Sequence, residues 1–67
     1  MSVVKVTEVI ASSNKSFDDA ITQGIARANK TLKNITGAWV KDQKLVIDDG
    51  KIKEYRVGLK LSFILND

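Results

Sequence analysis

The 67 residues include neither Cys nor His, which excludes disulfides and the commonest zinc ligands together. A chain this short buries only about 60% of the surface that its unfolded form exposes, so without crosslink or metal the remaining route to stability is association. The net charge of +3 comes from eleven basic and eight acidic residues; the basic ones are spread along the chain, the pattern of a mixed solvated surface rather than of a nucleic-acid footprint.

Hydrophobic content of 43% and charged content of 28% are those of one folded domain spanning residues 1–67. No apolar run reaches the roughly 18 residues of a membrane span, and no basic region followed by an apolar core marks a signal peptide. The expected location is the cytoplasm, with no membrane or nucleic-acid partner.

In chain order, Ser2 to Ala11 is rich in Val and Ile, with Val4 and Val6 alternating against Lys5 and Thr7, and reads as the first strand. Ser12 to Lys15 breaks the pattern as a turn. Ser16 caps a helix whose first turn carries Asp18 and Asp19, acidic groups suited to the positive end of the helix dipole. Phe17, Ala20, Ile21, Ile25, Ala28 and Leu32 form one apolar stripe, which predicts a helix running to about Lys33 or Asn34. The small residues on that stripe, Gly24 among them, let the helix lie close to a sheet.

After Thr36 and Gly37, the stretch Ala38 to Ile47 reads as the second strand. Strict alternation would group Trp39, Lys41, Gln43, Leu45 and Ile47 on one face and Ala38, Val40, Asp42, Lys44 and Val46 on the other. Both sets are mixed, which predicts either a bulge or a polar face buried against another subunit. Asp48, Asp49 and Gly50 form a tight hairpin turn. From Lys51 the third strand follows, and from Glu54 to Leu65 it alternates almost without error: Tyr55, Val57, Leu59, Leu61, Phe63 and Leu65 against Glu54, Arg56, Gly58, Lys60 and Ser62. The expected fold is α+β, β-α-β-β, a three-stranded antiparallel sheet wrapped around one helix. One helix covers one face of such a sheet, and the other face is left for assembly.

The chemistry-bearing residues argue against an enzyme. The Asp18–Asp19 pair sits where a helix start wants acid and the Asp48–Asp49 pair where a hairpin wants turn formers. There is no phosphate-cradling glycine loop, no metal-spaced ligand set and no aromatic RNA-stacking motif. Trp39 and Arg56 stand out because both fall on adjoining strands of the uncovered face, where an aromatic surface beside a guanidinium could hold a planar anionic ligand.

Four stretches, VVKVTEVIASSNKSFDDAI, ARANKTLKNI, AWVKDQKLVIDDGKIKEYRV and LKLSFIL, together resemble the dodecins, small flavin-binding proteins of β-α-β-β fold. The resemblance spans essentially the whole chain. It implies a hollow dodecamer, a homo-oligomer that stores or sequesters flavin (riboflavin or its phosphate, FMN) rather than turning it over. In the family a Trp that stacks on the flavin opens the second strand; the matching position here is Gly37, with Trp39 two residues on. The family's Gln on the last strand matches Arg56, which only donates hydrogen bonds and leaves the ring imide N–H to Asp42, Gln43 or a backbone carbonyl. The candidate cofactor-binding residues are therefore Trp39, Arg56, Gly37, Asp42 and Gln43, with no metal site. The alternative is a flavin-free dodecameric shell, or a small-anion binder, with Trp39 at a subunit contact.

Overall fold

The computed structural model describes residues 3–65. It contains β1 (Val3–Ser13), α1 (Phe17–Ala28), β2 (Ile35–Asp48) and β3 (Lys51–Leu65). The strand order is β1-β3-β2, antiparallel throughout, so the strand with the cleanest alternation is the central one.

Its odd face is the core. Val57, Leu59 and Leu61 are fully buried, and with Ala20 and Ala28 of α1 they form the cluster against which Phe17, Ile21, Ile25, Leu32 and Ile35 pack. Leu65, at the end of the strand, is largely exposed. Phe17 and Tyr55 meet edge to face with ring centroids 5.2 Å apart, a favourable arrangement for two aromatic quadrupoles. The helix lies over β1 and β3, leaving Val40 and Leu45 on the helix side of β2 exposed.

The start of the helix is built as expected. Ser16 is the N-cap and its hydroxyl accepts from the Asp19 N–H at 3.0 Å. Behind it, the buried Ser13 hydroxyl donates to the Asp19 carboxylate at 2.5 Å and accepts from the Lys15 N–H at 2.9 Å, which locks the end of β1 to the first helical turn. Pairing with Arg56 and Tyr55 of β3 carries β1 on through Ser12 to Ser13, two residues past the expected Ala11; Ser2, the expected first residue, lies outside the described range.

The helix is shorter than the apolar stripe predicts. It ends at Ala28 because the backbone tightens: the Ala28 carbonyl accepts from the Thr31 N–H (3.1 Å), the Thr31 hydroxyl (3.3 Å) and the Leu32 N–H (2.8 Å), and Lys30 N–H turns back to Arg27 at 3.2 Å. Asn34 then takes a positive φ of 64°, and β2 starts at Ile35 rather than Ala38. Leu32 still reaches the core from this turn, so the stripe outlasts the helix. At the hairpin both Asp49 (φ 51°) and Gly50 (φ 73°) are left-handed, the backbone of a two-residue turn matched to strand twist.

β2 is bulged, with register shifts between Ile35 and Gly37, Val40 and Asp42, and Val46 and Ile47. This resolves its mixed faces. Gly37, Trp39, Asp42, Lys44 and Val46 pair with Ser62, Lys60, Gly58, Arg56 and Glu54, the outer face of β3, whereas Gln43 pairs with the inward Val57. Strict alternation thus separates Trp39 from Asp42 wrongly: the bulge at Lys41 brings both onto one face.

Candidate functional site

The outer face is a grid set by register. Across it, β1 contributes Val6 opposite Ser62, Glu8 opposite Lys60, Ile10 opposite Gly58 and Ser12 opposite Arg56. Among the described residues no helix covers this face, and it exposes Val6, Ile10 (75%) and Trp39 (58%). Large apolar side chains in such number on one surface mark a place where something binds.

Three hollows run along the grid. The first, about 450 Å³, is lined by Val6, Trp39, Lys41 and Lys60. The second, about 440 Å³, is lined by Ile10, Asp42, Gln43, Lys44, Arg56 and Gly58. A smaller one of about 90 Å³ bridges them and touches Glu8, Lys41, Asp42 and Gly58. The structure therefore brings Asp42 and Arg56 together and sets Trp39 in the neighbouring hollow; Gln43 borders the Asp42 hollow, but register turns its side chain to the opposite face of the sheet. Trp39 and Arg56 stand at β3 levels four residues apart, about 13 Å along the strand. Gly37 lies one outer-face level beyond Trp39 and lines none of the three; a Cβ there would meet the Ser62 hydroxyl at 3.0 Å.

The charges around Trp39 are organised. The Glu8 carboxylate sits 3.4 Å from the Lys41 ammonium and 3.9 Å from that of Lys60, so one acid serves two bases and a net positive charge remains beside the indole. Arg56 is held in place: its Nε donates to the Ser12 hydroxyl at 3.3 Å and its Nη2 to Glu54 at 3.1 Å. The Arg56 guanidinium, above all, holds the Glu54 carboxyl below the usual carboxylate range. These contacts leave the Nη1 donors of Arg56 for a ligand.

Two residues escaped the sequence reading. Glu8 is one polar residue in an alternating strand until register shows it between two lysines. Gly58 stands directly opposite Asp42, and a Cβ at Gly58 would come within 2.5 Å of the Asp42 Oδ1. A Gly in the middle of an otherwise unbroken strand is the signal for such a close approach. Among the described residues, no group of three or more His, Cys, Asp or Glu side chains could hold a metal ion, and no helix is long and apolar enough to cross a membrane.

A β-α-β-β unit with one sheet face uncovered by its helix, and an exposed indole among cations on that face, sets the class of fold and the candidate site. The chain belongs to the dodecin family, whose model matches residues 3–66. It is 34% identical over 65 residues to a dodecin of Thermus thermophilus, covering 97% of this chain and 94% of that one. The structure of a dodecin from Streptomyces davaonensis superposes with a TM-score of 0.94 at 32% identity, covering 98% and 97% of the two chains. The calcium dodecin of Mycobacterium tuberculosis is 33% identical over 63 residues, covering 94% of this chain and 89% of that one.

Proposed function

We propose that this chain is a flavin-sequestering dodecin that assembles as a hollow dodecamer and performs no catalytic turnover. The observation that carries the reading is Trp39, 58% exposed on the uncovered face and flanked by Lys41 and Lys60. Exposing an indole to water is unfavourable, and an isoalloxazine ring stacked on it removes apolar surface from both partners. The residues present fit such a ring: Trp39 supplies the platform, the lysines suit the phosphate of FMN, and Arg56 supplies donors for ring carbonyls. Association follows from the exposed Val4, Val6, Ile10, Ile47 and Ile52, too much apolar surface for so short a chain to leave in water.

The purified protein tests this directly. Bound flavin makes it yellow, and riboflavin or FMN added to stripped protein quenches the fluorescence of Trp39. Sedimentation gives a particle twelve times the 7.4 kDa chain. A colourless dodecamer that leaves Trp39 fluorescence unchanged on flavin addition supports a second reading, a flavin-free shell with Trp39 packed between subunits. The Gly37 and Arg56 departures at the site favour that reading. A folded 7.4 kDa monomer at micromolar concentration defeats both.

A further inference from the structure

We infer that Asp42, seated over the bare backbone of Gly58, accepts the imide N–H of the bound ligand, so that this face selects cyclic imides. The inference rests on the flavin reading above and names the group that the ring's pyrimidine edge meets.

Asp42 is on the ligand face only because of the bulge between Val40 and Asp42. Its carboxylate then leans over β3 into the space that a side chain at position 58 would fill: a Cβ there would lie 2.5 Å from Oδ1 and 3.3 Å from Cγ. Every other residue of the outer face of β3 between Glu54 and Ser62 carries a side chain. The one gap in that row is the one the carboxylate occupies.

Although Arg56 and Lys44 stand one outer-face level away, Asp42 makes no ion pair and no side-chain hydrogen bond among the described residues. Arg56 is instead bound to Glu54 and Ser12. The result is an uncommitted acceptor beside two donors. The pyrimidine edge of a flavin reads carbonyl, N–H, carbonyl, which asks for donor, acceptor, donor. Arg56 and Lys44 meet the carbonyls and Asp42 meets the N–H. A tricyclic ring stacked on Trp39 and laid along the strands carries this edge toward Asp42, one outer-face level on.

Hydrogen bonds to charged groups favour the matched partner, and an unmatched buried N–H is penalised, which together give roughly a 10- to 100-fold preference. The experiment compares riboflavin with N3-methylriboflavin, which has no imide N–H, by Trp39 quenching on the full-length chain and on D42A and G58A. The parent is expected to bind riboflavin at least tenfold more tightly than its N3-methyl analogue. In D42A the preference disappears. In G58A the added methyl swings the carboxylate aside and the preference also disappears, while thermal unfolding stays at or above that of the parent, because Ala is favoured over Gly within a strand. Undiminished preference in both variants, or equal binding of the two flavins by the parent, overturns the role of Asp42 and leaves the flavin reading standing. Failure of either flavin to quench Trp39 in the parent removes the flavin reading itself, and the inference with it.

Discussion

Replacing Gly24 by Ala sets two effects of similar size against each other. In the helix interior the change removes an entropic penalty of about 0.8–1.0 kcal/mol. At this position, however, the new Cβ would lie 2.7 Å from the Cβ of Ala11 on β1 and 3.5 Å from Cδ1 of Leu59. The Leu contact is ordinary van der Waals packing. The Ala11 contact is about 1 Å too close for two carbons at optimal separation, and neither methyl can rotate away, since each is fixed to its backbone. The helix must therefore rise from the sheet over Val57 and Leu59, an overpacking cost of about 1–3 kcal/mol. Sterics win, and G24A destabilises by about 1 kcal/mol. The assay is urea denaturation at one fixed protein concentration, run on G24A, A11G and the double variant. Deleting the Ala11 methyl lets the helix settle again, so the double variant should be more stable than the two single changes sum to, by about 2 kcal/mol, the overpacking that A11G relieves. A denaturation midpoint for G24A above that of the parent would refute the claim that this contact sets the helix–sheet distance.

The core and the site give further expectations. Leu61→Ala, at a fully buried position on the central strand, should cost about 2–5 kcal/mol; Leu32→Ala, in the half-buried turn after the helix, should cost well under half as much, read from the same denaturation curves. Gly37→Trp should tighten riboflavin binding by up to roughly tenfold by Trp fluorescence titration, since an aromatic stacking contact is of order 1 kcal/mol; unimproved binding would show that Trp39 already serves in its place. The Asp19 carboxyl is held below its ordinary range first by the Ser13 hydroxyl and then by the Gln23 amide. A depressed folded value means stability that is present above the ordinary value near 4 and lost as pH falls through the folded one. In Ser13→Ala the carboxyl should titrate higher by NMR, and the stability gap to the parent should shrink below about pH 4.

The fold was legible in the sequence where periodicity and burial coincide. The odd positions of β3 face the helix and nothing else competes for them, so Val57, Leu59 and Leu61 could be placed in the core from alternation alone. The helix end was not legible: the side-chain pattern runs on to Leu32, but backbone hydrogen bonds decide the end, and three donors on the Ala28 carbonyl leave no trace in hydropathy. The mixed faces of β2 announced an irregularity without locating it, because a bulge of one residue is set by pairing with β3 rather than by local composition. For the same reason Trp39 and Arg56 could be assigned to the open face, but their separation into two hollows could not, and the fit of Asp42 over Gly58 depends on side chains that only register brings together.

The turn at Asp49 and Gly50 also decides when each strand can form. β2 and β3 are joined by two residues and can zip from that turn at little loop-closure cost, whereas Ser12 of β1 meets Arg56 across 44 positions of chain. Pairing so distant in sequence is slow to find, so β1 is expected to dock after the β2–β3 ribbon has formed. Weakening the hairpin turn should therefore slow folding, while trimming Val9 of β1 should mainly hasten unfolding. Until β1 arrives, one backbone edge of β3 stays open to any second chain that offers a strand, and growth into an irregular aggregate competes with seating β1.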